Sequence, residues 1–245
     1  MCPRPSRTQC EMSVEDLTST RKVVHPVGDD VIIEAGPAQL PGTLTVPGSA
    51  VGLVIFAHGS GSSRHSPRNR AVASRLNSAG LATLLLDLLT RDEDAYDRAT
   101  AELRFDIPLL TERLEAAVDW ASQHGATARL PIGLFGASTG GAAALAAAAD
   151  RPEVRAVVVR GGRPDLAGEA LTRVRAPTLM IVGGDDTLVI DLNRRACAAM
   201  TAECRVVVIP GATHLFEEPG ALEEVSRLAV DWFLERLPTQ RGGPT

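Results

Sequence analysis

The sequence predicts a doubly wound α/β domain, built on one mostly parallel sheet of about eight strands with an antiparallel edge at its N-terminal end. Three observations carry this. From residue 51 onward, short continuous apolar runs alternate with amphipathic segments, as strands buried on both faces alternate with their covering helices. The spacing between runs leaves room for crossover helices. Before residue 51 the runs are separated only by hairpin-length turns, which parallel pairing cannot use.

Taken in order, the first strand-like runs are 22–27, 31–34 and 40–46, parted by Gly-Asp-Asp and Gly-Pro turns. The longer buried strands are expected at 51–57, 81–86, 131–135, 154–159, 177–182 and 205–209. Ser66-Pro67 reads as an N-cap followed by proline at the first helical position, and Gly80 sits where a C-terminal cap belongs. Asp106 and Pro108 repeat the start signal before a stripe of Leu103, Ile107, Leu110, Leu114 and Val118, which Gly125 ends. The charge run Arg91–Asp94 reads as an exposed loop near a pocket mouth. A last helix over 221–237 places Leu222, Val225, Leu228, Ala229, Trp232 and Phe233 on one face. The connection 160–176 has room for a turn and a short helix, so no lid domain is expected.

The chain has 245 residues, enough for one sizeable core, and a single domain is expected over 19–238 with disordered tails at 1–18 and 239–245. Met12 is a second candidate initiator. Hydrophobic residues make up 44% and charged residues 22%, which excludes a disordered chain. Net charge is −5 with scattered basic residues, so neither a nucleic-acid nor a membrane partner is expected. A homo-oligomer stays open. Cys2, Cys10, Cys197 and Cys204 show neither metal spacing nor a disulfide framework, and Cys197 and Cys204 read as small apolar packing residues. With no secretory leader or long apolar segment visible, a reducing cytoplasm is the expected setting.

The chemistry centres on "GLFGASTGGAAAL", residues 133–145, where Ser138 stands between glycines at the junction of an apolar run and an alanine-rich segment. By itself this serine could be only a small residue at a tight turn. Three other stretches also leave the carboxyl ends of predicted strands, the edge at which open α/β sheets bind ligands: "FAHGSGSSRHSPRN", "IVGGDDTLV" and "IPGATHLF". They supply Asp185, Asp186 and His214. The chain order is serine, aspartate, histidine.

In that order and context the sequence resembles the α/β-hydrolase superfamily over nearly all of residues 20–237. "HGSGSSRHSPRNR", the "RFDI" of Arg104–Ile107 and the short lidless connection resemble its dienelactone-hydrolase-like branch, which also occurs fused to phosphoribosyltransferase domains. The resemblance implies an α/β-hydrolase fold with a Gly-x-Ser-x-Gly nucleophile elbow at Ser138. It places the acid at Asp186, through the register Gly183, Asp186, Val189, with Asp185 as the adjacent competitor. The oxyanion hole is implied at the backbone N–H groups of Thr139 and Ser60, with Gly59 and Gly61 allowing that loop to turn. One departure stands out: enzymes of this family that act on dienelactones carry cysteine where this chain has Ser138, which favours general ester hydrolysis over lactones.

The residue types fit that chemistry. A serine hydroxyl is a weak nucleophile at neutral pH without a base, and histidine is the side chain whose proton affinity suits the task. The histidine in turn needs a carboxylate to fix its tautomer. The expected activity is hydrolysis of a small carboxylic ester or thioester, with no metal and no organic cofactor. Acyl transfer to an alcohol or peroxide by the same residues, or a binding module that keeps the fold without turnover, are the alternatives. Arg64 and Arg160 are candidate substrate contacts, together with Gly59 and Gly61. A solvated rim is the safer reading of Arg64, and a simple Gly-Pro turn suits the "RGGRPD" of Arg160–Asp165 equally well. His58 and Phe56 are expected to support the oxyanion loop by packing, and Ser66 to serve as a helix cap.

Overall fold

The computed structural model describes residues 28–237. Its elements are β1 (Asp29–Ala35), β2 (Ala38–Thr45), β3 (Leu53–Ala57), α1 (Pro67–Ser78), β4 (Ala82–Leu86), α2 (Arg91–Thr100), α3 (Ile107–Gln123), β5 (Ile132–Ala137), α4 (Thr139–Asp150), β6 (Val154–Arg160), β7 (Thr178–Gly183), α5 (Thr187–Ala199), β8 (Cys204–Ile209) and α6 (Ala221–Arg236). The expected strand at 22–27 and both tails lie outside the described residues.

One eight-stranded sheet runs in the order β1-β2-β4-β3-β5-β6-β7-β8. The pairings β1 with β2 and β2 with β4 are antiparallel, and all the others are parallel. This is the α/β-hydrolase arrangement. Every residue of β3, β4, β5 and β7 is buried, because helices cover both faces of a parallel sheet. Alternate residues therefore feed two cores. Leu53, Ile55, Leu134, Val157 and Val159 meet Leu114, Val118 and Leu145 of α3 and α4. Val54, Phe56, Phe135, Val158 and Ile181 meet Leu76 of α1 and Val225, Trp232 and Phe233 of α6.

The helix signals act as written. Ser66 Oγ accepts the N–H of Asn69, with Pro67 at the first position of α1. Asp106 caps α3 through the N–H of Leu109, so that helix starts at Ile107 and Leu103 falls in a separate 3-10 turn. Residues between β6 and β7 hold only a 3-10 segment, Pro164–Thr172, and no inserted domain covers the carboxyl edge among the described residues.

Two expectations are corrected. Arg91–Asp94 is the first turn of α2 rather than a loop: Thr90 accepts the N–H of Glu93 while Glu93 accepts that of Thr90, a reciprocal cap that offsets the helix's poor propensity. Cys197 and Cys204 are bonded in a disulfide rather than packed as free thiols. The tight turn between α5 and β8 brings their Cα atoms to 5.5 Å, inside bonding range, although the spacing matches no short cysteine motif. Free thiols therefore no longer speak for a reducing compartment. Among the described residues no helix is long and apolar enough to cross a membrane.

Candidate active site

Ser138 joins β5 to α4 at φ 52° and ψ −122°, a left-handed conformation that costs a non-glycine residue about 1–3 kcal/mol. The turn is possible because its neighbours lack side chains. A Cβ at Gly136 would stand 2.5 Å from the Gly140 carbonyl oxygen, and one at Gly140 would stand 2.3 Å from that of Ala57. Thr139 is the first residue of α4, so its N–H has no intrahelical acceptor.

The acid and the base come from neighbouring strand ends. The turn after β7 is sewn to the turn after β8 by Gly184 N–H to Ile209 O, 2.8 Å, and Asp185 N–H to Ala212 O, 3.0 Å. This close seam leaves Asp185 exposed and turns Asp186 inward, where its Oδ2 lies 2.6 Å from His214 Nδ1. The carboxylate thus accepts a hydrogen bond from Nδ1–H and leaves Nε2 as the basic nitrogen. The imidazole is near the elbow: Ser138 N–H donates to Arg160 O at 3.2 Å, and a Cβ at the next residue, Gly161, would lie 3.6 Å from His214 Cε1. Among the described residues, no hydrogen bond joins Ser138 Oγ to His214 in this structure.

The loop after β3 closes over the elbow, and a Cβ at Gly59 would stand 3.0 Å from Ser138 Cβ. Gly61 takes φ +64° to make the turn. His58 is buried and bridges two loops. Its Nε2 accepts the N–H of Leu88, so Nδ1 carries the proton and donates to Gly59 O at 3.0 Å. Ser62 N–H also reaches that oxygen, at 3.2 Å. With two donors on the Gly59 carbonyl, the N–H of Ser60 must face the other way across the trans peptide. The Ser60 and Thr139 hydroxyls are 3.1 Å apart. Beside them a cleft of about 20 Å³ has Leu89 and Leu110 for apolar walls and Asp97 and Arg104 on its polar side.

The remaining candidates divide. Arg64 is committed to Asp87, which accepts its N–H at 2.7 Å and its Nη1 at 2.6 Å. Arg160, the last residue of β6, is buried. The Asp97–Arg104 pair is an addition to the sequence reading: the carboxylate is 2% exposed and accepts Arg104 N–H and Nε, both at 2.9 Å. Its signal is present in the "RFDI" stretch, but the partner Asp97 lies beyond the Arg91–Asp94 charge run, in residues to which the sequence reading assigns no element.

The chain matches the dienelactone hydrolase family over residues 40–234. It belongs to that family. A dienelactone hydrolase structure from Anabaena variabilis is 56% identical, covers 87% of this chain and 99% of its own, and superimposes with a TM-score of 0.85. Est1E from Butyrivibrio proteoclasticus shares the fold at 21% identity, with a TM-score of 0.70 over 84% of this chain and 98% of its own. A Mycobacterium tuberculosis protein provisionally named a phosphoribosyl transferase is 58% identical over 210 residues, 85% of this chain and 46% of that protein. The chain thus spans about half the length of the curated relative it matches. Dienelactone hydrolase family membership supports a hydrolase.

Proposed function

We propose that this member of the dienelactone hydrolase family hydrolyses small carboxylic esters, with thioesters as a close variant, through an acyl-enzyme on Ser138. The observation that carries the reading is the 2.6 Å contact between Asp186 and His214 beside a serine held at φ 52°. In the cycle, His214 Nε2 removes the Ser138 proton as Oγ attacks the ester carbonyl. The tetrahedral oxyanion rests on the N–H groups of Ser60 and Thr139. His214 then gives the proton to the departing alcohol, and the C–O bond to it breaks. Water, deprotonated by the same imidazole, releases the acid and restores the serine.

The cycle requires an Oγ–Nε2 contact that forms on substrate binding, a tightening common between free and bound active sites. Each oxyanion donor is worth about 3 kcal/mol of transition-state stabilisation. The cleft beside Ser60 and Thr139 has room for about one water, which favours a small substituent against Leu89 and Leu110. A panel of p-nitrophenyl esters of rising acyl length, run on wild type and Ser138→Ala, tests the reading. Turnover that vanishes in a folded Ser138→Ala protein supports it, and equal rates refute it. Added alcohol or peroxide, with product analysis, separates hydrolysis from acyl transfer.

A further inference from the structure

Asn193, near the middle of α5, is fully buried, and its side-chain amide is only half satisfied. Nδ2 donates to Val189 O, one turn back in its own helix, at 2.7 Å, and to Gly162 O, beyond the end of β6, at 3.0 Å. Both partners are carbonyl oxygens, which only accept, so the amide nitrogen must be the atom that faces them. Oδ1 is buried with no partner among the described residues. The hydration lost by that oxygen offsets what the two donated bonds return, so the amide adds little to stability. What it adds is a fixed position for α5 against the turn after β6.

That helix and that turn meet all three reacting groups between them. α5 starts directly after Asp186, whose carbonyl accepts the N–H of Ile190 at 3.0 Å, so the acid moves with the helix. On the other side Gly161 takes φ +52°, and a Cβ there would stand 3.2 Å from His214 O and 3.6 Å from His214 Cε1. The imidazole rests on this glycine. Two residues on, Arg163 N–H donates to Ser138 O at 3.1 Å. Gly162 lies between these contacts, and among the described residues its carbonyl accepts from Asn193 alone. The Asn193 bond therefore ties the helix of the acid to the segment that supports both base and nucleophile.

We propose that Asn193 is a positioning residue of the reaction centre: by clipping α5 to Gly162, it sets the Asp186 carboxylate against an imidazole supported by that same turn. This inference rests on the serine mechanism on Ser138. Ser138 and His214 come together only when substrate binds, and a misplacement of about 1 Å at such a step costs about 100-fold in rate. The clip keeps Asp186 and His214 in register while that contact forms.

The test uses the full chain and the variant Asn193→Thr. A threonine hydroxyl can still donate to Val189 O but cannot also reach Gly162. It exchanges one unmet carbonyl for another, so the melting temperature should stay within about 4 °C of wild type. For p-nitrophenyl butyrate, kcat should fall about 10- to 100-fold with KM little changed. A second arm follows the rate of fluorophosphonate labelling at Ser138 with and without the acid. In the wild-type background Asn193→Thr should slow labelling by the same factor as kcat. In an Asp186→Ala background, where no carboxylate is left to position, adding Asn193→Thr should change the rate by less than about 3-fold. Ser138→Ala, run alongside, separates the two failures. Turnover that survives in Ser138→Ala removes the serine mechanism and this inference together, whereas turnover lost there but undiminished in Asn193→Thr removes the inference alone. Equal slowing of labelling in both backgrounds, or a melting temperature lowered well beyond that margin in both Asn193→Thr and Asn193→Ser, would show a purely structural role and overturn the proposal.

Discussion

His58 Nε2 accepts the backbone N–H of Leu88 at 3.0 Å, and through the other side of its ring it holds the carbonyl of Gly59. One imidazole therefore fixes the peptide whose opposite edge is the N–H of Ser60. His58→Ala frees that peptide to rotate, and the expected result is a fall in kcat of about 10- to 100-fold, with KM little changed. Steady-state kinetics on a p-nitrophenyl ester checks the split. His58→Gln, which keeps a donor, should recover part of the loss, and a purely packing role would show no such recovery.

The same bridge sets a pH response. Burial lowers the pKa of His58 below 6.5, outweighing the raising effects of Gly59, Asp87 and Asp94. The folded state therefore binds this proton less readily than the unfolded chain. Between the folded pKa and 6.5 the unfolded state carries more protons, so stability falls as pH drops through that window. Melting temperatures of wild type and His58→Gln should converge as the pH falls below 6.5. Parallel curves would show that His58 does not contribute.

The elbow admits no side chain at Gly140. Gly140→Ala forces a Cβ to within 2.3 Å of a backbone oxygen, and overpacking of this kind costs about 1–3 kcal/mol or more. A reduced melting temperature with lost esterase activity is expected. Gly48→Ala, where nothing lies within 4 Å, is the matched control and should melt like wild type.

Arg104→Met strands the buried carboxylate of Asp97, a loss of about 3–5 kcal/mol for a broken buried pair. The double variant with Asp97→Leu should regain much of it. Denaturant unfolding measures both, and a double variant no better than the single one would show that the pair has no such coupling.

What could be read from the chain follows from how local each signal is. The strands β3, β4, β5 and β7 announce themselves because burial on both faces makes them continuously apolar. Ser66, Asp106 and the glycines of the elbow likewise act within a few residues. Helix α2 was hidden: its charges resemble a solvated loop, although Thr90 and Glu93 carry a capping-box spacing. The Cys197–Cys204 bond depends on how tightly α5 returns into β8, and Asp97 finds Arg104 only once α2 has formed. Asp186 and Asp185 are equivalent to periodicity. The N–H of Asp185 bound to Ala212 is what separates them, and that contact is tertiary.

The central claim is that Ser138 is deprotonated by His214 and forms a covalent bond with an electrophilic carbon or phosphorus. Intact-mass analysis after treatment with a fluorophosphonate, with peptide mapping of the adduct, tests it most directly. A single adduct on Ser138 is expected in wild type, absent from Ser138→Ala and strongly slowed in His214→Ala. Folded wild-type protein that stays unlabelled, or labels at the same rate without His214, would contradict it.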